Sequence, residues 1–434
     1  MTKLEFVNHS CIILSNNDVS LSIDPWIDGS VFNNSWNLLV KTPLKSIENL
    51  KKSKYVWFSH EHPDHFNPPN LKIFSNNNNF LFQQTKDKRV IKFLSKISSN
   101  VKEIKFKDKF FLDKCFSIQV LPFQYLDSMC LIEIDGIKIL NLNDCDIKND
   151  NQLKIIKNFC EKIDVLMVQF SYAIGKSNKE SIAQRRNWSL TILKKLSKNI
   201  NYLKPKYVIP FASFCYFSRH DNFYLNDSIN KIGPTIDFLK KNNPNVKFLC
   251  FYPGDMWDLK TNWCNDDAIY KYSIDYDNIK PLNFDYNKFD FDKIKNVADK
   301  FIKNTMINNN LFYFYNFFKK KNYKIYFNVT DINKKFKFDF SKGLIIVNNI
   351  LNSQPSCSLT SESLYQLFNS GYGYDALIIG GRFEANDIGM FNLNKIFKFQ
   401  AKNYQNIYYN FSNIFSNLLN KFFKNNIIFY DRGN

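Results

Sequence analysis

The chain has 434 residues, of which 44% are hydrophobic and 23% charged, so it is not a disordered protein and is long enough for more than one domain. Its 59 lysines and arginines against 40 aspartates and glutamates give a net charge of +19, which is compatible with an anionic partner. The lysines are scattered and form no dense basic arm. A lysine-rich composition explains the charge equally well, and nucleic acid is not the expected partner.

Strands dominate the first 260 residues, with helices between them. Their order favours an α/β protein of the αββα sandwich type, two sheets face to face with helices outside, over residues 1–264. Asp135-Gly136 is a strong hairpin-turn signal between two of the strands. The predicted strands are 4–7, 11–14, 19–23, 55–58, 80–83, 116–122, 130–134, 137–142, 165–170, 207–211 and 248–252. The predicted helices are 43–52, 86–95, 152–160 and 185–203.

The remainder of the chain differs in character. Residues 265–290 repeat aspartate and tyrosine and are predicted to be a linker, and residues 291–434 a smaller, aromatic-rich α+β accessory domain. Its predicted elements are a helix over 294–318, strands over 324–329, 335–340 and 343–348, a helix over 361–369 and a strand at Gly380-Gly381-Arg382-Phe383. This order resembles the sterol-carrier-protein-2-like fold, which implies a lipid pocket. A family-specific cap or dimerisation domain is the alternative. In either case Arg382 could dock this C-terminal domain at the mouth of the site.

Three of the five histidines stand in one segment, His60-Glu61-His62-Pro63-Asp64-His65. It follows a predicted buried strand. Because side chains alternate at a strand end, His60 and His62 point the same way and can share a metal, while Asp64 and His65, past the bend, can reach a second. Imidazole and carboxylate suit zinc, iron or manganese. The segment therefore predicts a site for two divalent metal ions.

Cysteine use and hydropathy bear on the compartment. The nine dispersed cysteines include no Cys-x-x-Cys pair, which argues against a disulfide framework and predicts buried thiols in a reducing cytoplasm. Since no Cys-x-His pair occurs, we expect no internal Rieske-type iron–sulfur cluster. The first residues enter a strand without signal-peptide architecture, and no apolar run approaches the ~20 residues of a membrane span. These features predict a cytoplasmic protein.

Further motifs accompany the histidine segment over roughly residues 1–260. They are Asp24-Pro25-Trp26-Ile27-Asp28-Gly29, Trp36-Asn37-Leu38-Leu39, Gly136-Ile137-Lys138-Ile139-Leu140-Asn141, Asp144-Cys145, Pro210-Phe211 and Pro253-Gly254. In order and approximate spacing they resemble the metallo-β-lactamase part of CMP-N-acetylneuraminate hydroxylase. The histidine motif alone indicates the metallo-β-lactamase superfamily, and the other motifs indicate this branch. That hydroxylase carries a Rieske domain before its metallo-β-lactamase part, whereas this chain is expected to begin directly with the metallo-β-lactamase part.

The resemblance implies a ligand set for the two metals. In chain order the set is His60, His62, Asp64, His65, Asp144 and His220. Asp144 follows the second strand of the hairpin and would bridge the two ions, with Asp146 as the fallback. His220 would be the last ligand, and it follows a Pro-Phe element as the histidine does in the hydroxylase.

A third histidine at the first metal is missing from the segment before Cys130. Gln124 is the nearest possible replacement ligand through its carbonyl oxygen, and Asp127 is another. The first site is therefore expected to be weak, to hold a different metal or to be vacant. His9, in Asn8-His9-Ser10, is expected to be a hydrogen-bonding neighbour or a core histidine rather than a ligand.

Aromatic and basic side chains near these motifs are candidates for binding the substrate. Trp26 and Trp36 could stack on a base or a sugar, although core packing explains them at least as well. Arginine pairs with phosphate and carboxylate. Arg219, beside His220, is preferred to Arg185 at the start of the long helix.

Several functions remain open. The resemblance implies an anionic sugar-like or nucleotide-linked substrate and, with iron, an oxygenase that takes electrons from a separate Rieske or reductase protein. With zinc or manganese, the same site would be a hydrolase of phosphoesters, lactones or amides, in which Asp64 orients the metal-bound water. Asp64 and His220 are the expected catalytic residues. A nuclease of this fold and a non-catalytic scaffold are further alternatives.

Overall fold

The computed structural model describes residues 2–17, 19–123, 127–172, 178–263, 265–285, 287–311 and 323–410. The strands in these ranges are β1 (Thr2–Asn8), β2 (Cys11–Asn16), β3 (Val19–Ile23), β4 (Trp36–Leu38), β5 (Tyr55–Phe58), β6 (Asn79–Gln83), β7 (Val101–Ile104), β8 (Lys109–Phe111), β9 (Phe116–Pro122), β10 (Ser128–Ile134), β11 (Ile137–Asn141), β12 (Val165–Gln169), β13 (Tyr207–Phe211), β14 (Cys215–Phe217), β15 (Lys247–Phe248), β16 (Met256–Asp258), β17 (Lys324–Val329), β18 (Lys334–Asp339), β19 (Gly343–Ile346), β20 (Ser356–Leu359) and β21 (Glu384–Ala385).

The α-helices in the same ranges are α1 (Leu44–Lys51), α2 (Arg89–Leu94), α3 (Asp150–Cys160), α4 (Ile182–Leu203), α5 (Ile232–Asn242), α6 (Asp266–Asn278), α7 (Phe291–Asn308), α8 (Ser361–Asn369), α9 (Gly373–Gly380), α10 (Asp387–Phe397) and α11 (Gln400–Tyr404). Two short 3₁₀ helices accompany them, Asn70–Ile73 and Phe223–Ser228. No helix in the described part of the chain combines the length and the apolar character that crossing a bilayer requires.

Two large sheets form the first part of the described chain. One has the order β16-β1-β2-β3-β5-β6-β7 and the other the order β15-β13-β12-β11-β10-β9-β8. In each sheet an antiparallel portion continues into parallel strands, β3-β5-β6-β7 in the first and β11-β12-β13-β15 in the second. The pair β4 and β14 forms a separate ribbon.

Alternating side chains in these strands produce a layered core. In β2, Leu14 lies in a cluster shared with the second sheet, whereas Ile13 lies in a cluster with Leu50 of α1 and Leu94 of α2. Ile156 of α3 joins the shared cluster. One sheet face thus packs on the other sheet, with helices outside, which confirms the predicted αββα sandwich.

The hairpin between β10 and β11 fixes the position of the segment after it. Asp135 and Gly136 connect the strands with φ values of 48° and 79°, as a two-residue hairpin turn with two positive φ angles requires. Ile134 and Ile137 pair directly across the turn. The register brings the end of β11 beside the start of β10, so that the segment after Asn141 lies near Ser128.

A third core lies in the C-terminal part. Its sheet has the order β19-β18-β17-β20-β21, and its buried cluster includes the rings of Phe301, Phe338, Phe368 and Phe397. These rings contact one another, so they serve as core here. The resemblance to the sterol-carrier-protein-2-like fold and the division at residues 264 and 290 stay predictions.

The first half of residues 265–290, the predicted linker, is helical in the structure. Residues Asp266–Asn278 form α6, and Tyr272 and Tyr276 of this helix are buried in the core shared by the two large sheets. Tyr272 stacks on Phe214 with ring centroids 4.4 Å apart. The polar composition concealed the helix because the aromatic side chains that bury it lie between aspartates and lysines.

Candidate metal centre

The candidate ligands come from separate parts of the chain and meet at one edge of the two sheets. The ligand loop, residues 60–65, follows β5 directly. His9 lies in the turn between β1 and β2, Asp127 directly before β10, and Asp144 three residues after β11. Ser128 donates a hydrogen bond from Oγ to the carbonyl oxygen of Ser59, 2.6 Å away, which ties the two sheets together at this point.

His60, His62 and Asp127 form a first group of possible ligands. Nε2 of His60 lies 2.8 Å from Nδ1 of His62 and 3.9 Å from Oδ1 of Asp127. Asp127 therefore stands in the position that the sequence left without a histidine. Gln124, the other predicted replacement, lies outside the described residues.

Asp144 lies between the two predicted metal positions. Its Oδ2 is 3.8 Å from Nε2 of His60 and 3.3 Å from Nε2 of His65, and the three residues form a second group of possible ligands. Asp144 therefore lies within reach of both the His60 and the His65 side of the site. Asp146, the fallback, is half exposed and pairs with Lys195 at 2.5 Å.

His9, Asp64 and His65 form a third group. Oδ2 of Asp64 lies 3.6 Å from Nε2 of His9 and 3.5 Å from Nε2 of His65. His9, expected to be a hydrogen-bonding neighbour or a core histidine, lies beside Asp64 and within reach of an ion bound there. The signal that could have found it is a histidine in a tight turn between two buried strands of a chain that has only five histidines.

The polar atoms of these groups fit a metal because several have no other function. Within the described residues, both ring nitrogens of His9, Oδ1 of Asp64 and Oδ1 of Asp144 are buried without a hydrogen-bond partner. Such an atom costs roughly 1–3 kcal/mol in a folded protein. Here the residues that carry these atoms face one another, and nitrogen and oxygen donors are the set that zinc, iron and manganese accept.

Two neighbouring residues orient the histidines. Asp24 accepts hydrogen bonds from the backbone N–H of Ser59 at 2.8 Å and from its Oγ at 2.6 Å, and its Oδ2 lies 2.9 Å from Nδ1 of His65. The hydroxyl of Ser59 also lies 2.9 Å from Nδ1 of His60. These contacts leave Nε2 of both rings directed at Asp144, an arrangement that fixes the ring orientation of metal-bound histidines.

Buried charges shift the pKa values of the groups. Burial lowers the pKa of His60, and the neighbouring His65 and His62 lower it further, so His60 is neutral and able to bind a metal. Burial opposes protonation of His65, but the carboxylates of Asp144, Asp64 and Asp24 outweigh it and raise its pKa. Burial raises the pKa of Asp127 to about 7. Burial also opposes ionisation of Asp144, but His65 and His60 hold its pKa well below the usual range.

Backbone strain accompanies the site. His9 has φ of 44° and Asp24 has φ of 43°, in the left-handed region that residues with a Cβ rarely adopt. The carbonyl of His9 accepts the N–H of Ala212 at 2.9 Å, and Ser10 donates to the carbonyl of Asp64 at 3.2 Å. These bonds hold the β1–β2 turn against the ligand loop in spite of the strain.

The two tryptophans and Arg185 are not exposed for a substrate. Trp26 is fully buried, donates from Nε1 to the carbonyl of Gly29 and packs against the ring of His9 at 5.1 Å. Trp36 is buried between Phe32 and Phe217. Arg185 is buried and pairs with Asp227. Each of the three side chains is used in packing or an ion pair, and their role in binding a substrate stays a prediction.

His220 and Arg219 lie apart from the ligand groups. His220 is exposed, its Nε2 is 3.0 Å from Oδ1 of Asn283, and it joins none of the three groups. It lines a cleft of about 450 Å³ together with Arg382. The geometry thus places His220 outside the three groups, and its role as the last ligand stays a prediction. Arg219 is buried, with Nη2 3.8 Å from Oε2 of Glu362.

Comparison with known proteins defines the class. Residues 3–212 match the family model of the beta-lactamase superfamily domain. Together with the two-sheet sandwich and the clustered histidines and aspartates, this match shows that residues 3–212 have the metallo-β-lactamase fold, which is a fold of metalloenzymes.

Among individual proteins, the chain is similar to the cytidine monophosphate-N-acetylneuraminic acid hydroxylase of Mus musculus, with 26% identity over 279 residues that cover 59% of this chain and 47% of the relative. The chain spans about half the length of the curated relatives it matches.

Two solved structures are also similar. CmlA, a diiron β-hydroxylase from Streptomyces venezuelae, shows 13% identity and a TM-score of 0.44, covering 59% of this chain and 54% of CmlA. A possible metal-dependent hydrolase from Veillonella parvula shows 14% identity and a TM-score of 0.46, covering 60% of this chain and all of the hydrolase (100%).

Proposed function

We propose that this chain is an oxygenase with a dinuclear iron centre that acts on an anionic, sugar-like or nucleotide-linked metabolite. The observation that carries the proposal is the meeting of buried imidazoles and carboxylates around Asp144. The similarity to hydroxylases supports the choice of reaction, because it extends over 59% of the chain. Electrons for the reaction would come from a separate Rieske or reductase protein.

The residues divide into two ligand sets. His60, His62 and Asp127 would hold one ion, and His9, Asp64 and His65 the other. Asp144, which faces both sets, would bridge them. When bound, an iron pair supplies activation of dioxygen, and a zinc or manganese pair supplies activation of water.

The remaining chemistry belongs to the protein itself. Asp24 and Ser59 hold the rings of His65 and His60 by their Nδ1 atoms, so Nε2 is presented to the centre. Oδ1 of Asp64 has no hydrogen-bond partner in the described chain and can orient a water or take a proton. The burial of His60 and His65 keeps solvent away from their side of the site. The net charge of +19 favours an anionic substrate.

A hydrolase is the second candidate, and the observation that favours it is Oδ1 of Asp64, which has no hydrogen-bond partner in the described chain and can orient a metal-bound water. Zinc and manganese also accept the imidazole and carboxylate donors of this site. Activation of water at such a site would cleave a phosphoester or a lactone without any external electron donor.

Elemental analysis of anaerobically purified full-length chain tests both candidates. Wild type is compared with His62→Ala, which removes a proposed ligand, and with His220→Ala, a histidine outside the ligand groups. About two irons per chain, the content of a dinuclear site, lost in His62→Ala and kept in His220→Ala, would support the oxygenase. Zinc or manganese with the same pattern would support the hydrolase. A wild-type chain without metal, even after incubation with each ion, would overturn both.

A further inference from the structure

The C-terminal part of the chain lies directly against the ligand loop through α9. At the end of this helix, the carbonyl of Gly380 accepts a hydrogen bond from Nδ2 of Asn222 at 2.7 Å. A Cβ atom on Gly380 would lie 2.4 Å from Oγ of Ser35, so only glycine permits this approach. The start of the helix, at Tyr372, reaches the ligand loop.

Along its whole length, α9 turns one face to the part of the chain that forms the two large sheets and the ligand loop, hereafter the metal domain. Ala376 and Ile379 follow Tyr372 at helical spacing and pack against the cluster that contains Trp26 and Trp36. Phe32 of the same cluster packs edge to face on the ring of His62, with ring centroids 6.0 Å apart. The helix therefore lies over the side of the site that carries His62.

Glu61, the residue between His60 and His62, is the point of contact. Tyr372 donates its hydroxyl to Oε1 of Glu61 at 2.6 Å, and Nε2 of Gln405 donates to the same oxygen at 3.1 Å. Arg89 of the metal domain donates to both carboxylate oxygens, at 3.2 and 3.1 Å. The side chain of Glu61 is only 14% exposed, so these bonds are shielded from water.

Tyr372 is itself held in place. Its hydroxyl accepts hydrogen bonds from Nη2 of Arg89 at 2.8 Å and Nε2 of Gln405 at 2.9 Å, which fills the bonding capacity of a phenol that also donates. Burial and the neighbouring Glu61 raise the pKa of Tyr372, so the donor stays protonated at neutral pH. Its ring packs edge to face on Tyr404.

We propose that Tyr372 is a positioning residue of the metal centre, holding Glu61 so that the ligand loop keeps His60 and His62 in their metal-binding arrangement. This inference rests on the proposed metal centre. A loop that must order itself on binding a metal loses conformational entropy, whereas a loop anchored beforehand does not. Residues that orient metal ligands through hydrogen bonds change metal affinity by roughly 10–100-fold when they are replaced. Tyr372 acts one residue further out, so the lower end of that range is expected.

The test is the zinc affinity of the full-length protein, measured by competition with a chromophoric chelator. Tyr372→Phe removes only the hydroxyl and keeps the ring on Tyr404. The matched control is Tyr365→Phe, also in the C-terminal part, where the ring stacks on Phe289 instead. We expect about tenfold weaker zinc binding in Tyr372→Phe and wild-type binding in Tyr365→Phe. The absorption spectrum of the cobalt-substituted protein should change in the first variant only.

A double-mutant cycle distinguishes positioning from a general loss of structure. Glu61→Ala alone should weaken zinc binding, and adding Tyr372→Phe should then change it little, because the two residues act through one contact. If Tyr372→Phe does not fold, Gln405→Ala replaces it in the test. This variant loses the hydrogen bonds to Glu61 and Tyr372, and we expect it to bind zinc more weakly as well. Wild-type zinc binding that persists in Tyr372→Phe would overturn this inference and leave the proposed function intact. A wild-type chain that binds no zinc or other metal would overturn both.

Discussion

The carboxylate of Asp24 lies 2.9 Å from Nδ1 of His65, and both side chains are fully buried. The contact fixes which ring nitrogen of His65 carries the proton and leaves Nε2 for Asp64 and Asp144. Asp24, directly after β3, therefore holds His65 of the ligand loop as a carboxylate holds the ring of a metal-bound histidine.

Replacing Asp24 by asparagine should weaken metal binding by at least tenfold, because the amide cannot fix His65 as the carboxylate does. Asparagine also tolerates the left-handed backbone of this position, so the fold should be retained. Asp28→Asn, an exposed aspartate in the same segment, is the control. Chelator competition measures the effect, and equal affinities of the two variants would contradict the role of Asp24.

Replacing His9 by asparagine should remove about one metal ion per chain, the share of one position in a two-metal site. Asparagine adopts the positive φ of 44° with less strain than alanine, so the backbone of the turn is kept and only the imidazole is lost. The metal-to-protein ratio after purification is the measurement. An unchanged ratio would mean that His9 is a core histidine, as the sequence alone suggests.

The affinity for a metal ion at His60, His62 and Asp127 should depend on pH near neutrality. Burial raises the pKa of Asp127 to about 7, so below that pH the carboxyl holds a proton that a metal must displace. Zinc affinity should rise as the pH increases towards 7. Above that pH the Asp127 carboxyl is ionised and should make no further contribution to the pH dependence. Asp127→Asn should bind more weakly at pH 8 and show a shallower pH dependence between pH 5.5 and 7.5, since one competing proton is gone. Titration of zinc at several pH values tests the difference, and parallel pH profiles would refute it.

Arg382 should contribute strongly to stability. It is 3% exposed and donates to Asp221 at 2.9 Å, Glu362 at 3.0 Å and the carbonyl of Asn33 at 3.1 Å. Arg382→Met leaves the partly exposed carboxylates of Asp221 and Glu362 without this partner, and a loss of about 1.5–3 kcal/mol is expected, as for hydrogen bonds between charged groups. Urea unfolding should show that loss, and Arg186→Ala, at an exposed arginine, should show almost none. A loss below about 1 kcal/mol, the value of a surface pair, would contradict the prediction.

The sequence was most informative where the signal is local. The ligand loop and the Asp135-Gly136 hairpin depend on neighbouring residues, and both were located from the sequence. Arg382, which the sequence suggested as a residue that docks the C-terminal part at the mouth of the site, binds Asp221 and the carbonyl of Asn33 and lines the cleft of His220, so its role at the mouth of the site stays a prediction.

What the sequence missed depends on contacts between distant segments. His9 meets Asp64 because the β1–β2 turn folds over a loop more than fifty residues later, and the sequence of the turn alone does not distinguish a ligand from a hydrogen-bonding neighbour. His220 was assigned by resemblance, but its local turn directs it to Asn283 instead. Tryptophan and arginine are common in binding sites, but Trp26 and Arg185 are buried. The sequence alone cannot distinguish a substrate-binding side chain from a buried one, because burial depends on the packing of distant segments.

The close approach of Gly380 to Ser35 has a practical consequence for protein production. A fragment trimmed to the two large sheets, the usual choice for crystallisation of a catalytic unit, would expose the surface under α9 and leave Glu61 without Tyr372 and Gln405. Low solubility or poor metal retention of such a fragment would reflect the cut itself. Expression trials are better designed around the full chain as one piece, with changes made by single substitutions.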